Sequence, residues 1–145
     1  LDGYIHVNIQ QREPVLRVLT GEGYYVDRDG RVMPLSSKFT SRVVVATGDI
    51  NKKFACEKLG PFAMKLKNEP FWDAYIEQLV VRSNEDVVMI PKVGDFRIVL
   101  GKVDDCEARL EKLMLFLKDG ITKKGWNRYK EINLKFDNQV VCVRK

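Results

Sequence analysis

The sequence predicts an α+β domain: a mostly antiparallel β-sheet with a few helices packed on it. Three observations carry this expectation. Short apolar runs with period-2 alternation or β-branched composition recur along the chain. Several are joined in pairs by tight Gly- or Asp-containing turns, which pair strands antiparallel. Apolar spacing switches to three and four only in the middle and again before the closing strands, giving a few helices rather than one after every strand.

Each element can be justified in order. Ile5, Val7 and Ile9 alternate with His6, Asn8 and Gln10, a strand entered through the Asp2-Gly3 turn. Pro14 interrupts, and "VLRVL" resumes as a second strand. Gly21 and Gly23 mark a turn, and "GYYVDRDGRVMPL" reads as a hairpin around Asp29-Gly30. "RVVVA", Arg42 to Ala46, is a continuous run of the kind buried on both faces. Lys58 to Lys67 suits a short helix with Pro61 in its first turn, and Gly60-Pro61 argues against continuation upstream. Asn68 can cap a second helix beginning at Pro70, with Phe71, Tyr75 and Leu79 repeating at four and Trp72, Ile76 and Val80 one position on. "DVVMIP" and "FRIVLG" form a hairpin across "KVGD". Asp104 and Glu107 have capping-box spacing before a helix carrying Leu110, Leu113, Met114 and Leu117, with Gly120 as its stop.

The last fourteen residues, "INLKFDNQVVCVRK", read as a closing hairpin. Ile132, Leu134 and Phe136 fall on one face, and Asp137-Asn138 suits a two-residue turn. That turn would set Leu134 opposite Val141 and Ile132 opposite Val143 on the core face, leaving Val140 and Cys142 on the other. A final strand apolar on both faces is either covered by its own fold or waiting for another chain. Gln139 to Val143 has neither charge nor proline to block edge pairing.

At 145 residues the chain is about one domain long, with 45% apolar and 31% charged residues, an ordinary globular balance. The net charge of +5, from 25 Lys+Arg against 20 Asp+Glu, is spread along the sequence and is only mild support for an anionic partner. No apolar run approaches the roughly 18 residues of a membrane span. The first residue is Leu1 rather than Met, so the expectation is a piece of a longer protein, with any targeting or membrane segment upstream. Cys56, Cys106 and Cys142 are far apart and odd in number, read as small buried hydrophobes that do not fix the redox compartment.

Chemistry leaves no constellation. His6 is the single histidine, which removes His-pair metal sites and most acid–base triads, and no nucleophile elbow, zinc-protease motif, P-loop or dinucleotide fingerprint occurs. No catalytic residue, cofactor or metal ligand is therefore assigned. "TKKGWNRYK" interleaves Lys123, Lys124, Arg128 and Lys130 with Trp126 and Tyr129, a pattern that can hold nucleic acid, but a wet basic loop with aromatics tucked into the core explains it as well.

Taken in order, the motifs resemble the FtsQ/DivIB family of bacterial division proteins. "IHVNIQQREPVLRV" is similar to the closing strands of that family's POTRA domain, and "YYVDRDGRVMPL" to its hairpin Y-x-V-D-x-x-G-x-x-x-P-L. "FWDAYIEQLVV", "MIPKVGDFRIVLG", the Asp104 helix and "GWNRYKEINLKFDNQVVCVRK" follow in the family's order, and the last segment resembles the Bacteroidetes branch. The resemblance implies residues 1–18 as the last strands of an incomplete POTRA domain and 19–145 as the β domain. It also implies a noncatalytic periplasmic scaffold, anchored in the inner membrane by a segment absent here, that recruits FtsB and FtsL to the septum. In the family the terminal strands add a partner strand at their edge. Carried onto this sequence, the partner-binding residues are Lys135, Phe136, Asn138, Val141, Val143 and Arg144. The family pattern departs here in two ways: Phe136 stands in place of Tyr, without a phenolic hydrogen bond, and Arg144-Lys145 stands where some relatives carry an aromatic. The alternatives are a strand-adding adaptor of an envelope assembly or secretion complex and, with less support, a basic nucleic-acid-binding module or an enzyme.

Overall fold

A computed structural model of the chain describes residues 3, 13–35, 42–118, 128–137 and 139–145. The strand expected over Ile5–Ile9, with His6, lies outside the described residues, as do Asn138, Gly120 and most of the basic stretch before Arg128.

Among the described residues nine strands form one sheet: β1 (Pro14–Val18), β2 (Tyr24–Asp27), β3 (Val32–Pro34), β4 (Val44–Gly48), β5 (Ile76–Arg82), β6 (Asp86–Pro91), β7 (Arg97–Gly101), β8 (Tyr129–Asn133) and β9 (Val141–Arg144). The spatial order is β3-β2-β1-β4-β5-β6-β7-β8-β9. Five neighbouring pairs are antiparallel and three, β1–β4, β4–β5 and β7–β8, are parallel. Parallel neighbours need a crossover, and each of these has one. The β2–β3 hairpin separates β1 from β4, a run of helices separates β4 from β5, and α4 (Glu107–Phe116) separates β7 from β8. The domain is α+β with a mostly antiparallel mixed sheet, and β1 sits inside it between β2 and β4.

The β2–β3 turn forms where Asp29-Gly30 predicts it. The Asp27 carboxylate accepts the N–H groups of Asp29 and Arg31 at 2.9 and 2.8 Å, so the side chain organises the turn. The β6–β7 hairpin also stands as expected. The "RVVVA" strand starts two residues late, at Val44, and only Ala46 is fully buried.

The helices depart from the sequence reading in three places. Helical structure begins at Lys52, not Lys58: α1 (Lys52–Phe54), a π turn (Ala55–Leu59) and α2 (Gly60–Asn68) run on continuously. Asn51 caps this start, its side chain accepting the Phe54 N–H at 2.7 Å. Pro61 is tolerated because the π turn widens the helix before it; the Gly60 N–H goes back to Ala55 O, one residue further than in an α-helix. Gly60 is closely packed, and a Cβ there would lie 3.0 Å from both Ala55 O and Val26 Cγ1.

The second helix, α3 (Pro70–Tyr75), is capped by Glu69 rather than Asn68, which ends α2. It stops at Tyr75, and the stripe expected to continue to Val80 is β5. A spacing of four is also a multiple of two, so the repeat at Phe71, Tyr75 and Leu79 does not separate helix from strand. A bulge between Ile76 and Gln78 then lets Ile76, Leu79 and Val81 all face the core.

The capping box at Asp104 does not form. Cys106 occupies the N-cap without a side-chain bond, the Lys58 ammonium pairs with Asp104 at 2.9 Å, and Lys65 pairs with Glu107. Two carboxylates read as local caps thus tie α4 to the helix before it. Arg109 covers the carbonyls nearby, donating to Leu100 O and Asp104 O at 2.5 and 2.6 Å.

The core is one cluster. Leu79, Val81, Val87, Met89, Ile98, Leu100 and Ile132 from alternate sheet positions meet Leu59, Phe62, Leu66, Leu110 and Leu113 from the helices. Cys106 is buried within it; Cys56 and Cys142 are half-buried, and none of the three forms a disulfide. The other sheet face carries Val80, Val88 and Val99 in one cross-strand row.

Candidate functional site: the terminal sheet edge

Among the described residues, β9 ends the sheet order, with β8 as its neighbour. The register is Glu131↔Val143, Ile132↔Cys142 and Asn133↔Val141. This is one residue away from the Leu134–Val141 and Ile132–Val143 pairing expected from a simple two-residue turn. A slip of one exchanges the faces of the whole strand. Val140 and Cys142 therefore pack against the core, while Val141 and Val143 lie on the opposite face beside Asn133 and Glu131.

The physical reason lies in the two residues after β8. The Asn133 side chain accepts the Lys135 N–H at 2.9 Å, an Asx turn that ends the strand. The Leu134 N–H donates to Val99 O on β7 at 2.9 Å, and the Leu134 carbonyl accepts from the Lys112 ammonium at 3.1 Å. With these groups engaged elsewhere, Leu134 and Lys135 bulge and the ladder restarts one residue out of step. Leu134 remains fully buried, but Phe136, expected beside it on the core face, is turned out and 51% exposed. Its carbonyl accepts from Lys112 at 2.6 Å and from the Gln139 N–H at 3.4 Å. Burial holds the Lys112 ammonium below the usual lysine pKa, the nearby Asp137 carboxylate working against that shift.

Main-chain direction along β9 follows from one bond. The Lys145 N–H donates to Arg128 O at 3.1 Å. The irregularity between Tyr129 and Glu131 takes up its extra residue on β8, so β9 alternates without interruption. Lys145, Val143 and Val141 thus direct their main-chain groups to β8, and Arg144 and Cys142 direct theirs away from it.

Of the six sequence-assigned residues, five are described. Phe136, Val141, Arg144 and Lys135 are exposed and Val143 is half-buried. Lys135 reaches back to Asp86 at 3.5 Å, alongside the Arg82–Asp86 pair, so it belongs to the rim of the edge rather than to β9. Lys112 and Asn133 shape the site and were not among those six. Asn two residues before a turn is a usable signal; a lysine on the wet side of an amphipathic helix gives none.

The chemistry elsewhere is sparse. Among the described residues no three of His, Cys, Asp and Glu gather as a metal site would require, and no helix is long and apolar enough to cross a membrane. In the basic stretch, Tyr129 is buried in the core against Phe116, so that ring is not offered for base stacking.

A mixed sheet packed against helices, with β9 at the end of its order among the described residues, defines an α+β domain. Comparison with family descriptions then fixes its kinship: the chain belongs to the family described as "FtsQ/DivIB, C-terminal related", matched over residues 13–143. Membership points to a role in cell division. No curated protein matches the chain.

Proposed function

We propose that the chain is the periplasmic β domain of a noncatalytic division scaffold, which binds FtsB- or FtsL-type partners by accepting a strand on β9. The observation that carries the reading is that, among the described residues, β9 ends the sheet order and Arg144 directs its main-chain groups away from β8. Phe136 and Val141, exposed at 51% and 37%, supply apolar anchors beside that edge. Family membership supports the division role. On this reading residues 1–18 close a POTRA domain whose last strand joins the sheet as β1, and a membrane helix in the inner membrane precedes them.

The test is titration of the protein with the periplasmic segment of an FtsB-type protein from the same organism, read by calorimetry and by hydrogen exchange. Binding should protect β9 amides, and Phe136→Ala should weaken it by about 1–2 kcal/mol while leaving the unfolding midpoint nearly unchanged. Binding that leaves β9 exchange unaltered would reject the edge as the site.

A further inference from the structure

Both faces of the segment Val140–Val143 carry two small apolar side chains: Val140, just before β9, and Cys142 on one, Val141 and Val143 on the other. Hydrophobic burial alone therefore discriminates weakly between the observed register and the one-residue slip that would exchange them. The turn does not decide it either. Gln139 N–H already approaches Phe136 O at 3.4 Å, the closure that a two-residue turn would make, and strands continued from it would pair Leu134 with Val141. What holds the pairing at Asn133↔Val141 is the engagement of the bulged residues by groups outside the hairpin. Lys112 is the strongest of these, because it is a half-buried cation gripping the Leu134 and Phe136 carbonyls together.

We propose that Lys112 is a positioning residue that sets the register of β9 on β8, and so decides which side chains β9 presents to an added strand. To slip, the hairpin must turn the Leu134 carbonyl back toward β9 and so take that acceptor from a half-buried ammonium. Charge-assisted bonds of this kind favour one state by roughly tenfold or more. In the observed register an incoming strand continues the row of Val141 and Val143 on one face and that of Val140 and Cys142 on the other. After a slip the two rows trade places, and a partner matched to the first register meets the wrong face.

The second half of this inference rests on the strand-adding reading; the first does not, and the experiment separates them. Register is read by nuclear Overhauser contacts between Val141 and either Asn133 or Leu134. It is read independently by maleimide labelling of Cys142, mapped by mass spectrometry against buried Cys106. Lys112→Met should move the contact to Leu134–Val141 and raise Cys142 labelling by about tenfold or more, whereas Lys112→Arg, which keeps the charge and its donors, should behave as wild type. A folded Lys112→Met that keeps the Asn133–Val141 contact and the wild-type labelling rate would overturn the proposal. If Lys112→Met does not fold, Lys112→Gln is put to the same comparison with the same overturning result. The FtsB-type segment is the third arm. Weaker binding to the slipped variant supports the link between register and recognition, and unchanged binding overturns that link. Failure of the wild type to bind would sink the strand-adding reading while the register result stands.

Discussion

Proline substitution at two adjacent positions of β9 tests the edge directly, because the two main-chain groups point opposite ways. Val143 faces β8, so Val143→Pro removes an N–H from the ladder, strands an acceptor on β8 and deletes a half-buried side chain. Together these should cost about 2–4 kcal/mol of folding stability. Arg144 faces away from β8, so Arg144→Pro removes no ladder bond within this sheet and should stay within about 1 kcal/mol of wild type. An added strand reverses the ranking. Arg144→Pro then deletes a donor the partner needs and sets a ring against its backbone, for a loss of about 1–3 kcal/mol, or roughly five- to a hundredfold in affinity. Arg144→Ala controls for the lost charge, which at an exposed rim is worth at most about 1 kcal/mol. Urea unfolding gives the first quantity and calorimetry with the FtsB-type segment the second. If Arg144→Pro unfolds the domain as badly as Val143→Pro, the alternation assigned from the Lys145–Arg128 bond is wrong.

Three further outcomes follow from the packing. Gly48 has φ +108°, and a Cβ there would sit 2.2 Å from Val81 O, so Gly48→Ala should destabilise by at least about 3 kcal/mol in thermal or urea unfolding. Leu113 is fully buried where α4 meets the sheet, and Leu113→Ala should cost about 2–5 kcal/mol by the same measurement. The Tyr75 hydroxyl is buried without a hydrogen-bond partner among the described residues, and burial pushes its pKa up to about 12. The folded value lies above the unfolded one near 10, so this group's contribution is intact below pH 10 and is lost as pH rises toward 12. Tyr75→Phe should remove the latest tyrosinate step in an absorbance titration and leave neutral-pH stability unchanged or slightly higher.

The sheet was legible in the sequence because its signals are local. Asp29-Gly30, "KVGD" and the β-branched runs fix hairpins and strands whatever lies around them. The errors arose where a longer-range partner outbid a local preference. Asp104 and Glu107 have capping-box spacing, but Lys58 and Lys65 lie 46 and 42 residues away in sequence and claim both carboxylates. Gly60-Pro61 reads as a helix start, yet a π turn carries the helix through the proline, with Gly60 packed close to Val26 on β2. The stripe from Phe71 to Val80 is ambiguous by arithmetic, and a bulge conceals the strand's period. The place of the terminal strand at the end of the sheet came from the family resemblance rather than from its residues, since a lack of blocking residues suits an inner strand equally well. Its register came from neither, since that depends on a lysine from α4 and on Asn133 closing a turn on its own chain.

The two ends of the sheet differ in a way that bears on recognition. β3 has three residues and finishes on Pro34, which offers no N–H, while β9 runs Val141-Cys142-Val143-Arg144 with no proline. Openness alone is nevertheless too weak to hold a partner. The outward residues of β9 set an upper bound of about four main-chain hydrogen bonds to an added strand, each worth roughly 1 kcal/mol net. Association costs on the order of 4–15 kcal/mol in lost translational and rotational freedom, so those bonds at best approach break-even. The remainder has to come from apolar surface beside the strand, and the bulge after β8 is what places it there: the departure from alternation that fixes the register also turns Phe136 out of the core. The ladder would align a partner, and Phe136 with Val141 would decide whether it stays.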